Sequence, residues 1–358
     1  MIEVRPYDGD PQDVATFINS CWQKRYLARD LIPVYSAGDL SWQMLGGPDP
    51  SLHLAAYDGA RLVGCFLAER LTLNVDGQAV EGSQGSGFSV HPEYAARGVA
   101  TRLIGALERA HRQQGLRFFL GYVNASPTAS AYRFWSAFQR AFPNRYQTLS
   151  RVQFWMRFLR PGRMAEQLDH PAEALGLKLL HRLQRPPVRR QRTGVRPYRA
   201  SDLAACHLLL DAQSQAHRVS QLWTSGDLAR QLDSPPAAQT LVSADTAGGG
   251  VQGLCTSFSW PLKGRGQIPA EVIDLFLPGH LSAAQSRELL RSAVADIASR
   301  GAWVAIAPRP DARDAATFLA CGFVPVPGVC TLMTLFKDPA LNLSGLDRPW
   351  ALGPLRFR

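Results

Sequence analysis

The chain has 358 residues, 46% of them hydrophobic and 19% charged, a balance that excludes a disordered polymer and allows two or three domains with cores of their own. Thirty-nine basic residues, only four of them lysine, against 29 acidic ones leave a net charge of +10, which suits a polyanionic cofactor or nucleic acid. No apolar run approaches the roughly 20 residues of a membrane helix, so no membrane partner is expected. The six cysteines form no C-x-x-C pair, and with no signal peptide this points to a reducing, cytoplasmic setting without a metal site.

The chain opens with Val4-Arg5-Pro6-Tyr7, then a helical run from Asp13 to Tyr26. Residues Leu27 to Pro50 are less regular. Leu52–Tyr57 and Leu62–Leu73 read as strands joined at Asp58-Gly59, and Asp76-Gly77 turns into a third strand, Ala79–Val90. Gly82, Gly85 and Gly87 loosen that strand and allow a bulge. A helix from Val99 to about Gln114 follows, with Val99, Leu103, Ile104 and Leu107 at helical spacing. Leu116–Val123 is a strand, Ser130–Phe142 a helix, and Val152–Phe158 a final strand.

From Arg160 the composition shifts. A helix is possible within Ala165–His181, and RLQRPPVRRQR at 182–192 reads as an exposed linker. Then Val195-Arg196-Pro197-Tyr198 repeats the opening words, and Asp202 again precedes a helical run, Leu203–Gln215. Strands at Thr240–Ala244, Gly253–Trp260 and Glu271–Leu277, helix Ala283–Ser299, strand Trp303–Ala307, helix Ala312–Cys321 and strand Val329–Phe336 repeat the first half's order.

The chemistry concentrates in Phe88–Leu107, where a strand stops at His91-Pro92 and a small-residue turn opens a helix. The first turn of such a helix has N–H groups without intrahelical partners and is a ready anion site. Val90-His91-Pro92-Glu93-Tyr94-Ala95-Ala96-Arg97-Gly98-Val99-Ala100 resembles motif A of the GNAT (GCN-related N-acetyltransferase) superfamily, V-x-P-x-x-[QR]-x-x-G-x-[GA]. It departs at Ala95, where Gln or Arg is usual. The resemblance implies an α/β (α+β) class made of two GNAT folds in tandem, each a mixed, mostly antiparallel sheet flanked by helices. It implies acetyl-CoA as cosubstrate, held by Ser89, Val90, Ala95, Ala96, Arg97, Gly98, Val99, Ala100 and Thr101. Asn124 resembles the asparagine that contacts the CoA arm; a turn before Ser126-Pro127 is the competing account. In the second half, Leu277-Pro278-Gly279-His280-Leu281-Ser282 lacks the cradle, so that half is expected to be degenerate.

Acetyl transfer to an amine needs a polarised thioester carbonyl, a base for the ammonium proton and an acid for the leaving thiolate. Main chain near Ser86–Val90 is expected to serve the first need. Glu81 and Glu69, on central strands, are the base candidates, with Tyr122 and His91 as weaker options; the competing account, stronger for either glutamate alone, is a surface carboxylate near a strand end. Trp135 stands where the family commonly has its acidic Tyr, and Tyr132, one helical turn earlier, is the substitute candidate.

The expected organisation is an N-terminal GNAT domain at 1–159, a linker at 160–193, a degenerate GNAT-like domain at 194–338 and a tail at 339–358. The leading function is N-acetyl transfer by direct attack on acetyl-CoA, with a small-molecule or peptide amine as acceptor. The alternative is a non-catalytic acyl-CoA-binding or regulatory protein. A paired-fold aminoacyl transferase of the peptidoglycan type is disfavoured by the presence of motif A. Nucleic acid is disfavoured by the lack of a recognised motif, and a homodimer stays open.

Overall fold

Alternating burial along the strands builds both halves of the chain, and the strand order determines where the site forms. A computed structural model describes residues 1–358 apart from 27–30, 48, 128, 169–170, 184–193, 234–237, 245–249, 309–310, 347, 349–350 and 358. Most of the arginine-rich linker expected at 182–192 thus lies outside the described residues. The chain divides into two units: Met1–Arg151 with Gly328–Asp347, and Val152–Pro327 with Arg348–Phe357.

The first unit contains β1 (Ile2–Pro6), α1 (Pro11–Tyr26), β2 (His53–Asp58), β3 (Arg61–Val75) and β4 (Gln78–Val90). After the motif loop come α2 (Val99–Gln114), β5 (Phe119–Asn124) and α3 (Ser130–Ala141). The strand β6 (Tyr146–Phe158) leads into the second unit. There follow α4 (Pro171–Leu183), β7 (Val195–Pro197), α5 (Leu203–Gln215), β8 (Ala238–Ala244) and β9 (Val251–Ser259). The rest is β10 (Ala270–Leu277), α6 (Ala283–Ser299), β11 (Val304–Pro308), α7 (Ala315–Ala320) and β12 (Val324–Leu335).

The sheet of the first unit runs β1-β2-β3-β4-β5-β12 and is antiparallel except between β4 and β5. That of the second runs β6-β11-β10-β9-β8-β7, antiparallel except between β10 and β11. Each is a mixed, mostly antiparallel sheet flanked by helices, which is the fold class read from the sequence.

The closing strands are exchanged. Sequence order predicts that the strand after α3 closes the first half's sheet. Instead Phe154–Phe158 of β6 pair with Val304–Pro308 of β11. The place beside β5 goes to Cys330–Leu335 of β12, in register with Phe119–Asn124. Both candidates are apolar and extended, so pattern alone cannot rank them as partners for β5. The division consequently falls at 151/152 rather than 159/160, and residues 328–347 join the first unit. The stretch expected as linker holds two helices, Pro161–Ala165 and α4, each beginning at a proline suited to a helix's first position.

In the first unit α1 covers one sheet face, burying Ile18 and Cys21 with Met44, Cys65 and Leu67. The other face packs α2 and α3: Leu103, Leu107 and Trp135 meet Phe66, Phe119 and Met333. Each fully buried leucine there contributes about 1.5–3 kcal/mol. In the second unit α6 and α7 bury Leu289, Ile297 and Phe318 on one face, and α5 buries Cys206 and Leu210 on the other. Among the described residues no helix is long and apolar enough to cross a membrane, and no cluster of His, Cys, Asp and Glu could hold a metal ion.

Candidate active site

The site grows from a parting of strands. β4 pairs with β5 only from Ser83 to Gly85, opposite Phe119 to Gly121. Beyond this point no ladder pairing joins the two strands among the described residues, because β5 stays with β12 out to the Asn124–Cys330 pair. On its other side β4 shifts register against β3 between Cys65 and Leu67. This is the bulge that the glycines allow: Gly87 has φ 66° and its carbonyl accepts from Cys65 Sγ at 3.2 Å. The edge of β4 from Ser86 to Val90 therefore faces a wedge, where among the described residues its main chain has no ladder partner on β5.

The loop after β4 is built to expose backbone. His91 caps the short turn Pro92–Tyr94, its Nδ1 accepting from Glu93 N at 3.3 Å. Tyr94 donates to Asp58 at 3.0 Å, and Arg61 meets Glu93 at 2.9 Å, so the outer wall is pinned. Ala96 and Gly98 then take left-handed φ of 63° and 76°. For Ala96 that costs about 1–2 kcal/mol, strain of the kind stored at functional sites. Gly98 is the N-cap of α2 and supplies no side-chain acceptor, so the first N–H groups of α2 point outward unclaimed. A Cβ on Gly98 would meet nothing within 4 Å, so the space in front of them is open. Backbone donors and the helix dipole together make an anion site here. Ala95, Ala96, Arg97, Gly98, Val99, Ala100 and Thr101 are thus brought together around one helix start.

Two cross-links from α1, which no sequence motif marks, hold the strand in place. Trp22 Nε1 donates to Ser89 Oγ at 2.9 Å and Arg25 donates to the Val90 carbonyl at 3.0 Å. Ser89 and Val90 are therefore engaged by α1 as well as placed at the wedge. Tyr26, one residue further on, receives a hydrogen bond from Ser130 Oγ at the start of α3 at 2.8 Å. Only the helical spacing of Trp22 and Arg25 hints at this shared direction.

The two base candidates separate sharply. Glu69 is buried and sits opposite Gln84 on the face covered by α1, next to Leu67 and its partner Ser86 at the bulge. Gly47 gives its carboxylate room: a Cβ there would lie 2.9 Å from Glu69 Oε1. Glu81 corrects the expectation. It is six residues before Gly87, about 20 Å back along the strand, with its side chain exposed toward Arg70. Strand position alone could not tell which end of β4 faces the wedge. His53, not singled out from the sequence, is buried on the same face as Glu69, opposite Leu67. Burial holds its imidazole below the usual histidine range, and Nε2 has no hydrogen-bond partner among the described residues. His91 is committed to the loop, its pKa lowered by desolvation and then by Arg61. Tyr122 follows Gly121, where β4 and β5 part.

Trp135 is buried and stacks on Tyr146 at 5.7 Å, while Phe88 lies 5.4 Å from it. Tyr132 lies off the inward stripe of Ala131, Phe134, Trp135 and Phe138 and is exposed. Asn124 ends β5, and its Oδ1 accepts from Ser126 N at 2.8 Å, the turn-forming role that competed with a ligand contact.

The second unit has the same strand geometry but no open cradle. β10 shifts register at Asp274, between Thr256 and Ser257 of its partner strand. The helix that follows is closed: Ser282 Oγ accepts from Gln285 N at 3.3 Å, and Gln285 Oε1 accepts from Ser282 N at 2.9 Å. Gly279 is packed, with a Cβ there only 2.3 Å from the Gln252 carbonyl. Asp274 accepts from Phe357 N at 3.0 Å, and the Phe357 ring sits against Phe154 at 5.3 Å and Trp260 at 5.2 Å. The segment ending at Phe357 thus fills the region over this strand.

The Acetyltransferase (GNAT) family matches residues 13–138. No curated protein matches the sequence. Among solved structures, the chain is similar to Saccharomyces cerevisiae N-myristoyltransferase with bound myristoyl-CoA, at a TM-score of 0.76 and 14% identity over 99% of this chain and 89% of that one. It is also similar to a probable N-acyltransferase from Enterococcus faecalis V583, at a TM-score of 0.54 and 10% identity over 93% and 72% of the two chains. A GCN5-related N-acetyltransferase from Kribbella flavida gives a TM-score of 0.53 and 15% identity over 95% and 73%. At these identities the likeness is one of fold.

Proposed function

Because residues 13–138 match the Acetyltransferase (GNAT) family, we propose that the first unit is an acyl-CoA-dependent N-acetyltransferase with one cofactor site per chain. The observation that carries this reading is the contrast between two helix starts. That of α2 is uncapped behind an open Gly98, and that of α6 is capped by Ser282 and crowded at Gly279. Ser89, Val90 and residues 95–101 would hold the pyrophosphate arm, largely through main chain.

In this reading the acceptor nitrogen attacks the thioester carbonyl in the wedge between β4 and β5. The C–S bond breaks, CoA leaves as a thiolate, and the ammonium proton passes to a base. N–H groups on the β4 edge stabilise the developing oxyanion. Glu69 takes the proton, through water where the amine does not reach it, and Tyr132 returns one to the thiolate. Acetyl as the acyl group is supported by the aromatic wall on the α3 side. There Phe88 lies 5.7 Å from Phe134 and 5.4 Å from Trp135, and the latter two lie 5.0 Å apart. The acceptor is a small-molecule or peptide amine.

The test is calorimetric titration with acetyl-CoA and myristoyl-CoA, followed by thiol release over a panel of amines. One equivalent of acetyl-CoA with amine-dependent thiol release supports the proposal. Faster turnover of myristoyl-CoA would replace the acetyl assignment, and two equivalents would refute the single site. A second reading, a non-catalytic acyl-CoA-binding protein, is favoured by Trp135, an indole that cannot protonate a thiolate, at the family's Tyr position. It requires binding with no thiol release for any amine.

A further inference from the structure

Strand β6 carries a charge onto an apolar face. Side chains alternate along a strand, so Arg157 falls on the same face as Trp155, which packs against Phe318 of α7. Its guanidinium is half-buried and ends beside Gly322, where a Cβ would lie 2.9 Å from Arg157 Nη1. Gly322 has φ 80°, so glycine both turns the chain out of α7 and leaves room for this side chain. Burial lowers the pKa of Arg157, with Cys321 opposing the shift and Arg291 adding to it. Among the described residues no carboxylate acts on this charge, Glu288 of α6 included.

The end of α7 does not satisfy the guanidinium. Its last carbonyls are taken. Cys321 N donates to Thr317 O at 3.0 Å, Phe323 N to Phe318 O at 3.0 Å and Gly322 N to Leu319 O at 2.9 Å, while Arg291 Nη2 meets Ala320 O at 3.5 Å. Among the described residues Arg157 has neither a hydrogen-bond acceptor nor an ion pair, and Arg287 and Arg291 have no ion pair. A charge held half out of water with its N–H donors unplaced is costly unless a ligand meets it. All three arginines bear on the Cys321 thiol: burial raises its pKa, and Arg291, Arg157 and Arg287 oppose the rise. They converge on one point rather than run in a row, a poor match to the spaced phosphates of a nucleic acid. Three full positive charges outweigh the roughly half a negative charge of a helix C-terminus, so this point attracts anions.

We propose that Arg157, Arg287 and Arg291 form an anion site at the end of α7 that takes the phosphate group of a small molecule. A phosphate offers three oxygens to share among three guanidiniums, where a carboxylate offers two, and the planar N–H pairs of arginine fit it. Arg157 is the inner contact, and the α6 arginines are the outer ones. Every residue of the site belongs to the second unit, so it is independent of the acyl-CoA reading of the first.

The experiment is calorimetric titration of the full chain with inorganic phosphate and with glycerol 3-phosphate, at constant ionic strength and with chloride as the blank. One equivalent is expected, and the tighter of the two probes distinguishes free phosphate from a phosphate ester. Arg157→Met and Arg291→Met should each weaken binding about tenfold or more, the loss of one charge-assisted contact. In phosphate-free buffer Arg157→Met should melt at or above the parent temperature, because it removes an unpaired charge. Arg291→Met, at an exposed position, decides the matter if Arg157→Met does not fold. Equal binding by either folded variant overturns the proposal, as does no binding of either probe at millimolar concentration. A lower melting temperature of Arg157→Met with unchanged phosphate binding would make Arg157 a packing residue and overturn it as well. Phosphate binding that survives Gly98→Trp supports a site apart from the α2 cradle, and its loss in that variant would move the site to the first unit.

Discussion

Gly98→Trp tests the cradle directly. The φ of 76° is left-handed, so any L side chain there strains the backbone by about 1–2 kcal/mol. A Cβ at Gly98 meets nothing within 4 Å, so no clash is added at that atom. In a unit of this size about 1–2 kcal/mol lowers the melting temperature by roughly 2–8 °C, and the variant should fold. The effect on binding is larger. An indole in front of α2 would displace the phosphates from at least two charge-assisted N–H contacts, each worth about 1.5–3 kcal/mol. Together they predict an affinity for acetyl-CoA lower by about 10²–10⁴-fold. Calorimetric titration at a temperature well below the melting point separates the two effects. Acetyl-CoA binding to a folded Gly98→Trp protein with unchanged affinity would refute the placement of the cofactor at α2. Gly279→Ala is the mirror control. Its Cβ would lie 2.3 Å from the Gln252 carbonyl, so it should destabilise the second unit and leave the stoichiometry of acetyl-CoA unchanged.

Glu69→Gln is expected to lower kcat by about 10²-fold or more with little change in KM, whereas Glu81→Gln should leave both near the parent values; steady-state kinetics on one amine checks the pair. His111 is buried against Ser83 Oγ at 2.8 Å, and desolvation pushes its pKa down to about 4. The unfolded chain therefore binds a proton near pH 6.5 that the folded chain refuses, so stability is retained above pH 6.5 and lost as the pH falls to about 4. The loss is about 3 kcal/mol, read from urea midpoints of the parent and of His111→Gln, whose profile should be flatter in this window. Phe357→Ala should cost about 3–5 kcal/mol in the second unit by thermal melting and leave acetyl-CoA binding at one equivalent.

The loop was legible because each of its constraints is local. Val90 and Pro92 end a strand, Gly98 supplies the left-handed turn, and the apolar spacing from Val99 starts the helix that follows. Strand existence was legible for the same reason. Partnership was not: β6 and β12 carry similar patterns, and only the assembled sheet shows that β12 lies beside β5. The two candidate glutamates show the same divide. Glu69 and Glu81 look alike in sequence, yet the bulge at Cys65–Leu67 and the end of the β4–β5 ladder at Gly85 put one near the wedge and the other at the far end. Trp22, Arg25 and His53 escaped notice because their roles depend on which surfaces meet, and a helix or strand pattern leaves that open.

The exchange of β6 and β12 also bears on how the protein is made. When the ribosome has delivered residues 1–151, β5 still lacks its neighbour, because Cys330–Leu335 come almost two hundred residues later. Until then the nascent first unit presents a bare central edge, Phe119–Asn124, that any extended segment can occupy. At about 5–20 residues per second that interval lasts roughly 10–40 seconds, far longer than the collapse of a small chain. A gene cut after the matched family region would leave that edge permanently open, so a shortened product is expected in the insoluble fraction rather than as a soluble minimal unit. Completion of the first unit is thereby tied to synthesis of the second.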